Sequence, residues 1–156
     1  MTIDQLGSLG EFIAAIAVII SLIFVAIQLA RNTRELRSGA FRDVFQAYSN
    51  IRRSIYQDPE FAALIARTRN GHELNTDQEI RVASYLHELS WCFVQLSVFQ
   101  KTQVMDWKEE SWEKMKGLYL IELESEFGRG WWLEHSIIFP DHFVAEMTVN
   151  LESRRT

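Results

Sequence analysis

Residues 12–30 read FIAAIAVIISLIFVAIQLA, nineteen positions without a charge and with only Ser21 and Gln28 polar. As an α-helix at a 1.5 Å rise, this stretch is roughly 28 Å long, close to the ~30 Å hydrocarbon core of a bilayer. A core helix of a soluble protein seldom runs so far without a charge, because one of its faces normally meets water. A cleaved signal peptide needs a basic leading region and a shorter apolar run of about 7–15 residues. Here residues 1–11 carry Asp4 and Glu11 and no lysine or arginine. Ala15-Ile16-Ala17 has the small-x-small pattern of a cleavage site, but it lies inside the run rather than after it. The reading is a retained transmembrane anchor.

Charge on either side of the run predicts its orientation. Residues 31–53 hold Arg31, Arg34, Arg37, Arg42, Arg52 and Arg53 against Glu35 and Asp43. The positive-inside rule then places residues 1–11 outside and everything after the run in the cytoplasm. Residues 54–156 hold ten basic and seventeen acidic side chains, so a basic collar precedes an acidic body. Arg31, Arg34, Arg37 and Arg42 are expected to set topology and to meet lipid headgroups, at ~1 kcal/mol each beside an anionic leaflet. The expected organisation is a short extracytoplasmic N-terminus (1–11), a transmembrane helix (12–30), a juxtamembrane helix (31–57) and a cytoplasmic helical bundle (58–156).

Side-chain size within the run has its own pattern. Gly7, Gly10, Ala14, Ala17, Ser21, Phe24 and Gln28 follow one another at alternating spacings of three and four, the a/d seam of a heptad. Helices in lipid associate by close backbone approach and interhelical hydrogen bonds, which favours small residues and an amide on the contact face. The seam is therefore expected to drive self-association or docking on a partner's membrane helix. Ile13, Ile16, Ile19, Ile20, Leu22, Ile23 and Ile27 on the other faces suit lipid.

The rest of the chain shows helical periodicity. Leu36, Ala40, Phe41, Val44, Phe45, Tyr48, Ile51 and Ile55 recur at spacings of one, three and four, so the first helix is expected to continue past the membrane, with Gly39 a candidate bend. Asp58-Pro59 predicts an N-cap and first turn for a helix over 59–69, with Phe61, Leu64, Ile65 and Thr68 inward and Asn70-Gly71 a left-handed end. Thr76-Asp77-Gln78-Glu79 has the form of a capping box opening a helix to about Val104. That helix carries two apolar stripes, Ile80, Ala83, His87, Trp91, Val94, Val98 and Val82, Leu86, Leu89, Phe93, Leu96, which predict burial on most sides. A fourth helix is expected from Asp106 to about Phe127, carrying Trp107 and Trp112, then a turn at Gly128-Arg129-Gly130. A short helix with Trp131 and Trp132 follows, and Pro140 opens a last helix to about Leu151. No segment alternates with period two, so the fold class is all-α, an antiparallel bundle after one N-terminal transmembrane helix.

Composition narrows function mostly by exclusion. The 156 residues are 47% apolar and 24% charged, which suits one ordered domain. A single cysteine, Cys92, excludes an intrachain disulfide and a cysteine-built zinc site, and its place between Trp91 and Phe93 predicts a buried, inert thiol. A net charge of −5 argues against a general nucleic-acid binder. The histidines at 72, 87, 135 and 142 form no H-E-x-x-H or Glu-x-x-His pair, and no catalytic serine elbow or phosphate-binding glycine loop is present. No catalytic, cofactor or metal residue is assigned. His142 with Glu146 one turn on is the nearest approach to a ligand pair, at a spacing frequent by chance. His87 is expected as a hydrogen-bonded core histidine. His87, Trp91, Trp131 and Trp132 are the candidates for a pocket or partner contact, with all five tryptophans lying in 91–132.

The segment Ile27-Gln28-Leu29-Ala30-Arg31-Asn32-Thr33-Arg34-Glu35-Leu36-Arg37 resembles the juxtamembrane signature of a group of uncharacterised bacterial single-pass membrane proteins, a domain of unknown function with an I-Q-x-x-x-N-T-R motif. Trp112, Trp131-Trp132, Phe139 and Phe143 are similar to their C-terminal half. The resemblance implies a helical fold and the bacterial inner membrane, and no reaction. Asn32 and Thr33 would meet headgroups or neighbouring helices. The expected function is non-enzymatic: a single-pass inner-membrane protein that self-associates or serves as an accessory or scaffold subunit of a larger complex, its partners being membrane lipid and protein, with no cofactor and no nucleic acid. The alternatives are a homo-oligomeric pore, with Ser21 and Gln28 facing a central path, and a membrane-tethered sensing or enzymatic bundle.

Overall fold

The computed structural model describes residues 3–102 and 109–154, with the side chains of 4–6, 8 and 9 left aside. The chain is all-α, and its described residues contain no strand. Six α-helices follow in order: α1 (Ile3–Gln57), α2 (Pro59–Arg69), α3 (Thr76–Lys101), α4 (Glu109–Leu123), α5 (Glu126–His135) and α6 (Asp141–Ser153), with a 3-10 turn at Ser136–Ile138 before α6. The chain forms two compact units, Met1–Gly39 and Ala40–Thr156.

The described part of the first unit is helix alone. Every side chain from 10 to 30 is exposed, so none of these apolar residues is covered by the described residues. Thr33 donates its hydroxyl to the Leu29 carbonyl at 2.8 Å, satisfying itself on the preceding turn. α1 continues through Gly39 without interruption.

The second unit is built around α3. The last part of α1 lies antiparallel to it: Phe41 meets Phe99 with ring centroids 5.6 Å apart, and Tyr48 meets Phe93 at 5.8 Å. α4 returns antiparallel on another side, joined by a Gln100–Glu109 hydrogen bond at one end and a Phe93–Tyr119 stack at 4.8 Å further along. Val44 on α1 is buried and Phe41, Phe45, Tyr48, Ile51 and Ile55 pack on the core, so the amphipathic stripe extends to the end of the helix. Leu36, in the first unit, is 75% exposed.

The two most deeply buried tryptophans have satisfied donors. Trp112 Nε1 donates to Glu146 at 2.9 Å and Trp132 Nε1 to Thr148 at 3.1 Å, which lets both rings bury without an orphaned N–H. Ser90 donates its single proton to the Leu86 carbonyl, so the buried Tyr119 hydroxyl 2.7 Å away must donate to Ser90.

Several boundaries depart from expectation for local reasons. α2 has the expected range, with the Asp58 carboxylate accepting from the N–H groups of Glu60 and Phe61 and with Phe61, Leu64, Ile65 and Thr68 buried. At its end only Gly71 is left-handed, at φ 72°, while Asn70 remains near the helical side. The capping box of α3 sits one residue earlier than expected: Asn75 accepts from Gln78 N–H at 3.0 Å and Gln78 reaches back to Asn75 N–H at 3.1 Å. The described part of α3 ends at Lys101; Val104, Asp106 and Trp107, which were expected to end α3 and open α4, lie outside the described residues. The Val82 stripe of α3 is buried throughout, but Ile80, Trp91 and Val98 of the other stripe are exposed, so α3 is central without being enclosed. α4 stops at Leu123 rather than near Phe127, because Ser125 caps a new helix by accepting from Gly128 N–H at 3.0 Å. Gly128-Arg129-Gly130 is therefore the first half of α5 and not a turn.

Candidate functional site

Three features are candidates, each built from different chemistry. The first is the apolar segment. Gly7, Gly10, Ala14, Ala17, Ser21, Phe24 and Gln28 are all exposed, and a Cβ at Gly7 or Gly10 would meet nothing within 4 Å. The collar residues Arg31, Arg34, Arg37 and Arg42 are likewise exposed.

The second is an aromatic face of the body. His87, Trp91, Trp131 and Trp132 converge on a residue absent from the list of pocket candidates, Phe139. Its ring lies 6.0 Å from His87, 5.3 Å from Trp91, 6.3 Å from Trp131 and 5.9 Å from Trp132, each between centroids. Phe139 caps the 3-10 turn Ser136–Ile138 in an extended conformation, as a residue before proline prefers. Trp131 and Trp132 are buried, whereas Trp91 is 40% exposed. His87 is half-buried rather than a core residue, and its Nε2 accepts the Trp91 indole N–H at 2.9 Å. Accepting at Nε2 places the proton of the neutral ring on Nδ1. His135 stacks on Trp131 at 5.1 Å and bonds through Nδ1 to the Trp131 carbonyl at 2.9 Å. A carbonyl only accepts, so His135 Nδ1 carries the proton there. Between α3 and α5 these side chains border a cleft of about 390 Å³, lined by His87, His135, Trp131 and Glu88 over Ile80, Ala83 and Ser84. A neighbouring cleft of about 390 Å³ shares Ile80, Ala83, Trp131 and His135 and adds Glu79 and Glu134.

The third is a polar cluster that the sequence reading misses. Glu122 has only 4% of its side chain exposed and is held by two arginines. Arg52 of α1 reaches it at 3.3 Å, and Arg69 of α2 binds it through both Nε, at 3.1 Å, and a terminal nitrogen. Arg52 also donates to Tyr56 at 3.1 Å. The Tyr85 hydroxyl is buried without a hydrogen-bond partner among the described residues, and burial, reinforced by Glu122, raises its pKa well above the usual phenol value. Three helices meet at one carboxylate, so the cluster is a structural clasp. No local signal marks it, because Glu122 stands 70 residues from Arg52 and 53 from Arg69.

Remaining chemistry is spoken for. Glu146, paired with His142 in the sequence reading, accepts from Trp112 and lies 3.3 Å from Lys116. Among the described residues no group of three or more His, Cys, Asp or Glu side chains is placed to hold a metal ion. Cys92 is buried, and burial, then the nearby Glu88 charge, raises its thiol pKa, which keeps it protonated and unreactive. No family model, curated protein or solved structure matches the chain.

Proposed function

We propose that the chain is a non-enzymatic, single-pass protein of the bacterial inner membrane, with residues 1–11 outside and the helical body in the cytoplasm. In this reading it self-associates or serves as an accessory subunit of a larger membrane complex. The observation that carries it is the exposure of every side chain across 12–30: a nineteen-residue apolar helix that no other part of the described chain covers. In water such a surface costs roughly 25 cal/mol per Å², whereas in lipid it is the solvated state. The arginine collar supports the orientation by the positive-inside rule.

Self-association is supported by the small-residue seam, which leaves room for a second backbone beside Gly7 and Gly10. Leucine at Ala14, Ala17 and Ser21 combined with alanine at Gln28 is expected to weaken association severalfold in a membrane two-hybrid assay, and to shift native mass spectra in detergent toward monomer. A wild-type chain that is strictly monomeric in detergent and co-purifies with no other protein would overturn the reading.

A further inference from the structure

We infer that the groove between α3 and α5 receives a cationic amphipathic helix from a partner protein. Its floor is apolar and open. Ile80 is 58% exposed, the half-buried Ala83 and the buried Trp131 line the floor beside it, and two clefts of about 390 Å³ each share these three residues. Its rim is acidic, with Glu79 and Glu88 on α3 and Glu134 on α5. Among the described residues these three carboxylates hold no ion pair. Arg81, the cation nearest in sequence, is engaged by Asp58 at 2.8 Å.

An apolar trough edged by unneutralised carboxylates is complementary to a helix with an apolar stripe flanked by lysine or arginine. The ten residues from Glu79 to Glu88 span roughly 14 Å along α3, about two and a half turns of a docked helix. An anionic lipid surface is disfavoured by the same carboxylates, and an acidic peptide by like-charge repulsion. Gly130 deepens the trough: a Cβ there would meet nothing within 4 Å, so the position is open without being needed for packing. The inference deepens the accessory-subunit reading and rests on it for the existence of a partner, while the binding itself needs only the folded body.

The test uses the full chain in non-ionic detergent and a fluorescent eighteen-residue leucine–lysine peptide in amphipathic register, with binding to empty micelles subtracted. A scrambled peptide and a leucine–glutamate counterpart serve as controls. Saturable one-to-one binding of the leucine–lysine peptide is expected, weakening as salt rises. The triple variant Glu79→Gln, Glu88→Gln, Glu134→Gln should lower affinity by about tenfold, the sum of three exposed charge pairs. Gly130→Trp, which fills the trough and leaves every carboxylate in place, should lower it comparably. Absent binding, equal binding of the leucine–glutamate peptide, or affinity untouched by both variants would overturn the inference. So would a change in the chain's own oligomeric mass in the triple variant, because the occupant would then be a second copy. These failures are separable from failure of the membrane reading, which would appear as a chain soluble without detergent that still binds the peptide.

Discussion

At the scale of single residues, the side chains that hold the body together are of two kinds, and they differ in how far apart their partners lie. Asp58 acts on its own next turn. The N–H of Phe61, foremost, together with Arg81 and the N–H of Glu60, holds its carboxyl below the usual carboxylate range. Because the folded-state pKa is lowered, its contribution to stability is complete above the ordinary Asp value and is lost as pH falls through the folded one. Asp58→Ala should therefore reduce thermal stability at neutral pH, and the difference from wild type should narrow as pH falls below the ordinary Asp value and through the lowered folded-state one; a difference that stays constant on acidification would count against the cap. This residue was legible, since an Asp-Pro pair before an apolar run states its role locally. Glu122 was not. It sits in the run Ile121-Glu122-Leu123-Glu124, where carboxylates read as a solvated face, and its partners are supplied by two other helices. Glu122→Leu removes the carboxylate and leaves Arg52 and Arg69 without it, a loss of about 2 kcal/mol after allowance for the guanidinium groups turning to solvent. Chemical denaturation of the detergent-solubilised chain measures it, and no loss would mean that the clasp contributes nothing net.

At the scale of elements, the helices legible in the sequence were those with a polar cap directly before an apolar face. α2 belongs here, and its four inward residues were readable from spacing alone; the start of α6 was legible instead from Pro140, which stands at its N-cap position without a side-chain hydrogen bond. The first half of α5 was hidden because its glycines imitate a turn. Gly128 lies where α5 crosses the end of α4: a Cβ built on it would stand 2.8 Å from the Glu122 carbonyl oxygen and 2.9 Å from Leu123 Cα. The glycine is there for close approach of two backbones, which sequence spacing does not reveal. Gly128→Ala should destabilise the body by about 1–3 kcal/mol through overpacking against main chain that cannot move aside. Gly130→Ala, two residues on and facing open space, should be neutral or slightly stabilising by helix propensity. Denaturation midpoints of the two variants check the contrast, and equal values would remove the argument. The stripes of α3 erred the other way. Period analysis marks an apolar face but not whether a neighbour covers it, so Ile80, Trp91 and Val98 were read as buried when all three are exposed.

At the scale of the whole molecule, the all-α class was readable from length, periodicity and the lack of alternating segments. So was the membrane-length run, because nineteen apolar residues in series need no tertiary information to interpret. The convergence of His87, Trp91, Trp131 and Trp132 on Phe139 was half legible: the aromatic density was visible, and the residue that gathers it was not, since Phe139 lies outside both helical stripes, at the end of a 3-10 turn, and meets α3 residues about 50 positions away. The account as a whole stands on residues 12–30 occupying lipid with the body on the cytoplasmic side. The most direct test is a fluorescent reporter, one that matures only in the cytoplasm, fused to the C-terminus and read in bacterial membranes after alkaline carbonate washing. The account predicts that fluorescence stays with the washed membranes and that a periplasm-dependent phosphatase at the same position is inactive. Fluorescence released into the soluble fraction, or an active phosphatase, would contradict it.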